Sequence, residues 1–448
     1  MEFFGVNPGR RIAAYFAAAI IVGALILTLP LSGSHGSVGF INALFTSTSA
    51  VCVTGLTVVD TGKDFSLFGQ IVILILIQLG GLGIMTFATI LFAALGSKMS
   101  FGHRLGLTQS FLAEISVKPT SLLKAIFATT LIVEFIGAVA LFLIFRTKFT
   151  LGHAIFNSIF HAVSAFCNAG LSTFSNSLES YRANIPIIII FAVLIILGGL
   201  GFAVIRELTD KFKDRNSRLS LHSKLCLTGT GLLILIGTLA IFIAEYRGST
   251  AGMGFTRGLF NSFFQSVTSR TAGFNTIPQT ELTEVSIMTT MILMFIGACP
   301  GSTGGGIKVT TLMVILILVY NRFIGRSSVT AFKRTISNET IVRSLTVFIL
   351  AAMVIIVSLG LLMFAEEKPL AHRIVHGWLG ETMFETISAF GTVGLSLGMT
   401  SRLEELGKII IILTMFTGRV GLLTLAYALA RPPKQGEIVY AEESVMTG

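Results

Sequence analysis

Apolar residues run along this chain in two alternating lengths. Long runs cover about residues 11–30, 66–95, 121–145, 185–205, 225–246, 285–320, 341–364 and 406–429. Inside each successive pair lies a shorter apolar stretch, at about 40–51, 152–166, 255–269 and 375–390. A helix needs about 20 residues to cross a hydrocarbon core of about 30 Å. The long runs reach that length, whereas the short ones predict segments that dip into the membrane and return. Non-helical backbone at that depth is tolerated only where protein covers it or a watery cavity receives it, so the returning segments must face inward. The order long, short, long recurs four times at roughly hundred-residue spacing. The expected fold is an all-α polytopic membrane protein with eight transmembrane helices. Four helix–pore loop–helix units surround a pseudo-fourfold axis: residues 1–95, 96–210, 211–325 and 326–430, with a tail at 431–448.

Each short segment ends in the same way. Phe45, Phe160, Phe263 and Phe384 lie ten residues before Gly55, Gly170, Gly273 and Gly394, and each of these glycines is followed by Leu or Phe. The residues leading into the glycines are Val53-Thr54, Asn168-Ala169, Thr271-Ala272 and Thr392-Val393. Glycine reaches φ > 0 and has no Cβ to crowd an axis, so neighbouring carbonyls can point at a dehydrated ion. Four such loops around one axis build a cation filter, which makes these twelve residues the candidate ion-binding backbone, with K+ as the ion. Only Thr392-Val393-Gly394 matches the start of the Thr-Val-Gly-Tyr-Gly filter of potassium channels. The loops lack the Tyr-Gly, which implies a shorter, less symmetric filter with fewer ion sites in series.

The second long run of each unit carries a further feature. Counting from the filter glycines, Gly81 follows after 26 residues, Gly199 after 29, Cys299 after 26 and Arg419 after 25. Arg419 is therefore expected in mid-membrane, where a charge costs about 2.5–3.5 kcal/mol on insertion scales and marks a functional group facing a cavity. The third unit's second run is interrupted at 297–308 by Gly297, Pro300, Gly301, Ser302, Thr303, Gly304, Gly305, Gly306 and Lys308. Proline withholds a helix hydrogen bond and the glycines weaken helix further. A broken span beside an ion path is a transporter device, so this loop and Arg419 are the expected gate. Glu134 stands alone in an apolar span and calls for a buried donor or a subunit contact.

Composition agrees with the pattern. Of 448 residues 53% are hydrophobic and 12% charged, and the mean hydropathy is +0.85, outside soluble globular usage. The first apolar run is long enough to span, so the start does not read as a signal peptide. The net charge of +10 sits in loops after the second spans: Lys98, His103, Arg104 and Lys118; Arg206, Lys211, Lys213, Arg215, Arg218 and Lys224; Arg322, Arg326, Lys333, Arg334 and Arg343. That is a topology signal and not a nucleic-acid surface. Asp60, Asp64, Glu179, Glu281, Glu284, Glu366, Glu367, Glu404 and Glu405 flank the filters. Both termini are thus expected in the cytoplasm, with the filters open outward. Cys52, Cys167, Cys226 and Cys299 lie in or beside apolar segments without ligand spacing and read as buried small residues.

These motifs resemble the Trk/Ktr/HKT superfamily of potassium transporters over nearly the whole chain, through the four filter glycines and the Gly-Ser-Thr-Gly-Gly-Gly loop. The resemblance is strongest to the Ktr-type membrane subunit. It implies potassium uptake across the plasma membrane, a homodimer with one pore per chain, and a cytosolic RCK-type ring that binds nucleotide. In HKT proteins a Ser in the first filter goes with sodium transport, and Gly55 holds that position here. The alternatives are a sodium-coupled or sodium-permeable cation symporter and a secondary transporter that couples an organic solute to sodium; four parallel repeats, not the two inverted halves usual in such solute carriers, favour the pore over the latter. An intramembrane enzyme would need a nucleophile–base or metal motif, which the sequence does not offer, and no organic cofactor is implied.

Overall fold

The computed structural model describes residues 8–95, 119–216, 218–366 and 377–422. The basic stretch with Lys98, His103, Arg104 and Lys118, Glu367, and the tail at 431–448 lie outside the described residues.

The first helix of each unit is long: α1 (Pro8–Thr28), α4 (Pro119–Phe145), α8 (Leu221–Glu245) and α12 (Asn338–Ala365). Among the described residues these four contain segments long and apolar enough to cross a membrane. The short apolar segments form helices of 12 to 16 residues: α2 (Phe40–Val51), α5 (Leu151–Phe166), α9 (Phe255–Thr268) and α13 (Trp378–Gly391). Their bounds agree with the expected ones to within one residue, except that the fourth begins at Trp378.

The second helices differ from one another. α3 runs unbroken over Leu67–Leu95. α6 (Ile185–Leu200) stops at Gly201 and the chain turns by 103° into α7 (Phe202–Lys213). The expected straight span over 185–205 and basic loop from Arg206 are thus corrected: Arg206, Lys211 and Lys213 are helical. In the third unit α10 (Glu284–Phe295) and α11 (Val309–Phe323) flank the loop 297–308, as expected. α14 (Glu405–Val420) ends at Gly421. The basic connection after α11 is not a plain loop but contains a hairpin, β1 (Thr330–Ala331) with β2 (Arg334–Thr335). Its turn residues Phe332 and Lys333 both have positive φ, 50° and 62°. The Asn321 amide fastens the hairpin to the end of α11 by donating to the Thr330 carbonyl at 3.2 Å.

Each short helix packs against the first and second helix of its own unit. Each second helix also packs on a short helix of another unit: α3 on α5, α6 on α9, α10 on α13, and α14 back on α2. The packing is therefore circular. It is close because glycines face backbone: Gly80 lies against the Val51 carbonyl, Gly198 against Phe166 and Gly418 against Phe390. Each of those carbonyls is within two residues of the end of a short helix. Lipid gives helices no hydrophobic drive to associate, so small residues that let backbones approach supply the contact. That is the physical reason for the repeated Leu-Gly-Gly-Leu-Gly.

Candidate functional site

The four short helices aim their C-terminal ends at one place, and there the predicted glycines meet. Val53, Asn168, Thr271 and Thr392, each two residues before its glycine, all have positive φ, between 49° and 74°. Gly55, Gly170, Gly273 and Gly394 follow with φ of 96°, 66°, 80° and 94°. A Cβ on Gly55 would lie 2.6 Å from the Ala169 carbonyl oxygen, and one on Gly170 would lie 2.8 Å from that of Ala272. Cβ atoms on Gly273 and Gly394 would run into the carbonyl oxygens of Val393 and Thr54. The sequence of contacts closes on itself, so no side chain fits at any of the four positions.

Hydroxyls on the short helices pin this ring, and sequence reading passed over them. Ser49 and Ser388 accept from the N–H of Gly55 and Gly394 at 3.0 and 3.1 Å. Ser164 donates to the Leu171 carbonyl at 2.7 Å, and Thr268 to the Phe274 carbonyl at 2.6 Å. The signal was present: a serine stands six residues before the glycine in three of the four loops. The third loop uses Thr268, five before, and its helix ends there. The hydroxyls of Thr54 and Thr392 are buried without a protein partner.

Outside the ring lies a vestibule of about 430 Å³ that all four glycines line, together with Asp60 and Glu179. Asp60 is partly spoken for, accepting from the Gly62 and Lys63 amides. Glu179 accepts from the Asn275 amide at 2.6 Å. Burial pushes its carboxyl up from the ordinary range; the Asn275 bond and Arg182 oppose this, and Glu281 adds to it.

On the side of the ring away from the vestibule lies the loop 297–308. Gly304 packs against Thr271 and Gly305 against Thr392, so the loop touches two filter segments just before their glycines. Its backbone is held from outside. The Gly297 N–H donates to the Ile307 carbonyl at 2.8 Å and closes the base of the loop. The Cys299 and Thr303 amides donate to the Gly199 and Gly198 carbonyls at 3.0 and 3.2 Å, and the Thr303 hydroxyl to the Phe166 carbonyl at 3.2 Å. The carbonyls of Pro300 and Gly301 lie against Gly201, and Gly301 accepts from the Phe202 amide at 3.2 Å. Lys308 donates to the Gly304 carbonyl at 2.7 Å. The Ser302 hydroxyl is buried without a partner, and Gly306 lies beside Gly297. Arg419, 2% exposed, donates to the carbonyls of Thr303 and Gly80. One guanidinium thus joins α14, the loop and α3, and the structure brings the predicted gate residues together beneath the ring.

Two further ionisable groups stand behind the ring. Glu134 finds a partly buried donor: Gln78 Nε2 lies 3.2 Å from its carboxylate, and Cys167 of the second loop lies against both residues. Arg270, not singled out from the sequence, is 6% exposed and donates to the carbonyl and hydroxyl of Thr230. It stands three residues before Gly273, where the other loops have Cys52, Cys167 and Gly391. All four cysteines are buried.

Comparison with known proteins follows the same lines. Residues 12–438 match the TrkH family, described as "Cation transport protein". The chain is 40% identical over 447 residues to the "Potassium/sodium uptake protein NtpJ" of Enterococcus hirae, covering 99% of this chain and 98% of that one. It is also 40% identical to the "Ktr system potassium uptake protein B" of Bacillus subtilis, over 99% of this chain and 97% of that one. Among solved structures it superposes on the potassium transporter TrkH from Vibrio parahaemolyticus with a TM-score of 0.74, covering 94% of this chain and 84% of that one at 19% identity. The chain therefore belongs to the TrkH/Ktr family of cation transport proteins.

Proposed function

We propose that this chain takes up potassium across the plasma membrane through a pore whose filter is the ring of Gly55, Gly170, Gly273 and Gly394. The observation that carries the reading is the closed sequence of glycine–carbonyl contacts. Carbonyls arranged around an axis, in a site no side chain can enter, can replace the hydration shell of a monovalent cation. The buried hydroxyls of Thr54 and Thr392 support it, because buried polar atoms need a partner and a cation or water at the ring would provide one. The relatives named for potassium uptake agree. On this reading the circular packing is that of four pore units with eight spanning helices, the termini lie in the cytoplasm and the vestibule faces outward. The loop 297–308 obstructs the inner mouth while Arg419 holds it. A second copy of the chain and a cytosolic nucleotide-binding ring of RCK type are the expected partners; the relatives' name "Ktr system" supports a multi-part assembly.

The relative named for potassium and sodium favours a second reading, a sodium-permeable or sodium-coupled carrier. Potassium uptake by transporter-deficient cells, with sodium competition and with or without a regulatory subunit, separates the two. Growth and uptake at low potassium are expected, with little competition from sodium. Failure to restore uptake when the chain is in the membrane overturns the reading. Gly55→Ser tests the ring directly: its φ of 96° and the Ala169 carbonyl at 2.6 Å leave no room for a Cβ. The strain costs about 1–3 kcal/mol, and the potassium/sodium flux ratio is expected to fall about tenfold, the equivalent of about 1.4 kcal/mol. An unchanged ratio in proteoliposomes removes selectivity from the ring.

A further inference from the structure

Two places beyond each ring glycine the chain carries a polar residue: Thr57, Ser172, Asn275 and Ser396. All four are half-buried and line the vestibule. Ser172 and Ser396 are held in the same way. Ser172 Oγ lies 2.9 Å from Nε2 of His161, a fully buried residue of α5. The other ring nitrogen, Nδ1, lies 2.8 Å from the Asn157 carbonyl. A carbonyl only accepts, so Nδ1 carries the proton and neutral Nε2 accepts the serine O–H. Ser396 donates at 2.7 Å to one oxygen of Glu385, a fully buried residue of α13, and Thr400 donates to the other.

The relay continues identically in both loops. Ser172 Oγ accepts from the Phe174 amide at 2.9 Å, and Ser396 Oγ from the Gly398 amide at 3.0 Å. A buried acceptor thus orients a hydroxyl, and the hydroxyl fixes the turn by which the chain leaves the ring. His161 and Glu385 share a register, each nine residues before its glycine, where the other loops have Thr46 and Phe264. Two chemically unrelated acceptors at one register, each joined to the same downstream position, indicate a common task. Burying an ionisable group at membrane depth is costly, and ordinary packing would be served by residues such as Phe264. The third exit is tied differently, by Glu179 to Asn275. Among the described residues the Thr57 side chain makes no hydrogen bond. The charged neighbours of Glu385 are Glu381, one turn earlier, and Arg402, which pairs with Glu381 at 2.7 Å and donates to the Gly398 carbonyl at 2.9 Å.

We infer that Glu385 and His161 are positioning residues for cation selection: through Ser396 and Ser172 they fix the outer end of the ring at two of its four sides. The inference rests on the potassium reading above. A ring held at one width discriminates between ions of different radius, whereas a ring free to contract also accommodates the smaller one.

The test uses the full-length protein in proteoliposomes, with potassium and sodium fluxes measured in competition. Potassium- and sodium-dependent thermal stabilisation in detergent gives a readout independent of transport. Ser396→Ala and Ser172→Ala each remove the relay hydroxyl, and both its hydrogen bonds, at the exit without altering a helix, and Glu385→Gln keeps the size but leaves a single acceptor oxygen. Each is expected to lower the potassium/sodium flux ratio about tenfold, since displacement of about 1 Å at a positioned site costs up to a hundredfold. The preference of potassium over sodium as a stabiliser should shrink in parallel. If Glu385→Gln does not fold, the two serine variants decide. Folded serine variants that keep the parent's flux ratio and stabilisation preference overturn the inference while leaving the potassium reading intact. A parent chain that carries no potassium overturns that reading, and the inference with it.

Discussion

The same five residues, Leu-Gly-Gly-Leu-Gly, occur at Leu79–Gly83 and at Leu197–Gly201, and the chain follows a different course through each. In the first copy α3 stays helical through the motif and on to Leu95. In the second α6 ends at Leu200, Gly201 takes φ of 85°, and the chain turns by 103°. The early glycines do the same work in both copies: Gly80 meets the Val51 carbonyl and Gly198 the Phe166 carbonyl. The difference lies in the neighbour. Only the second copy has the loop 297–308 against it, with Pro300 and Gly301 at Gly201 and Thr303 at Gly198. The motif secures close approach to a short helix, and the surroundings decide whether the helix goes on. Loop and bend are therefore one structure, joined by backbone hydrogen bonds.

The comparison is broken most thoroughly by deleting residues 301–306. Potassium flux from proteoliposomes is expected to rise at least ~10-fold without any regulatory partner, as removal of about 1.4 kcal/mol of barrier would give. Spin labels on α6 and α7 should report a changed angle, since Phe202 loses the Gly301 carbonyl. A folded protein with parental flux would show that the loop does not obstruct the path. Arg419→Ala comes next, because Arg419 bridges the two copies, donating to Gly80 in the first and to Thr303, which sits on the second. Hydrogen bonds from a charged group contribute about 1.5–3 kcal/mol each, but the loop keeps its contacts to Gly198 and Gly199. A rise in flux of about threefold is expected, smaller than for the deletion because the loop's other hydrogen bonds remain. Lysine should not restore the parent, since one ammonium does not reproduce the guanidinium fork; full restoration by Arg419→Lys would count against the bridging role.

The smallest effect sharpens the comparison most. Gly83→Ala falls in helix, its nearest foreign atom the Tyr15 ring at 3.2 Å, and alanine is favoured over glycine there by up to about 1 kcal/mol. Gly201→Ala places a Cβ at positive φ, 2.6 Å from the Pro300 carbonyl, and is expected to cost about 1–3 kcal/mol. Thermal unfolding in detergent should move slightly for the first and clearly downward for the second. Equal shifts would mean that the turn at Gly201 is not held by the loop.

Much of this architecture was legible in the chain because lipid imposes simple rules. Run length separated long from short helices, and the bounds of α2 and α9 followed from it to within a residue. The glycine register predicted which four positions meet. The turn at Gly201 was hidden because its cause lies a hundred residues away in Pro300 and Gly301. Positive φ at Val53, Asn168, Thr271 and Thr392 was hidden as well: these side chains share no backbone preference, and the ring imposes the conformation. Glu385 and His161 escaped notice because the register they share with Thr46 and Phe264 holds four dissimilar residues. Arg419 was found from its charge together with its distance from the filter glycine, whereas Arg270, also buried, was lost among the filter residues beside it.

The circular packing also bears on how the protein is made. The contact that closes the circle joins α14, the last helix described, to α2, one of the first. A chain halted during synthesis before Glu405 carries all four ring glycines but leaves the circle of helix contacts open. It has neither Arg419 to tether the loop nor α14 to cover α2. Closure of the circle is thereby postponed until α14 has been made.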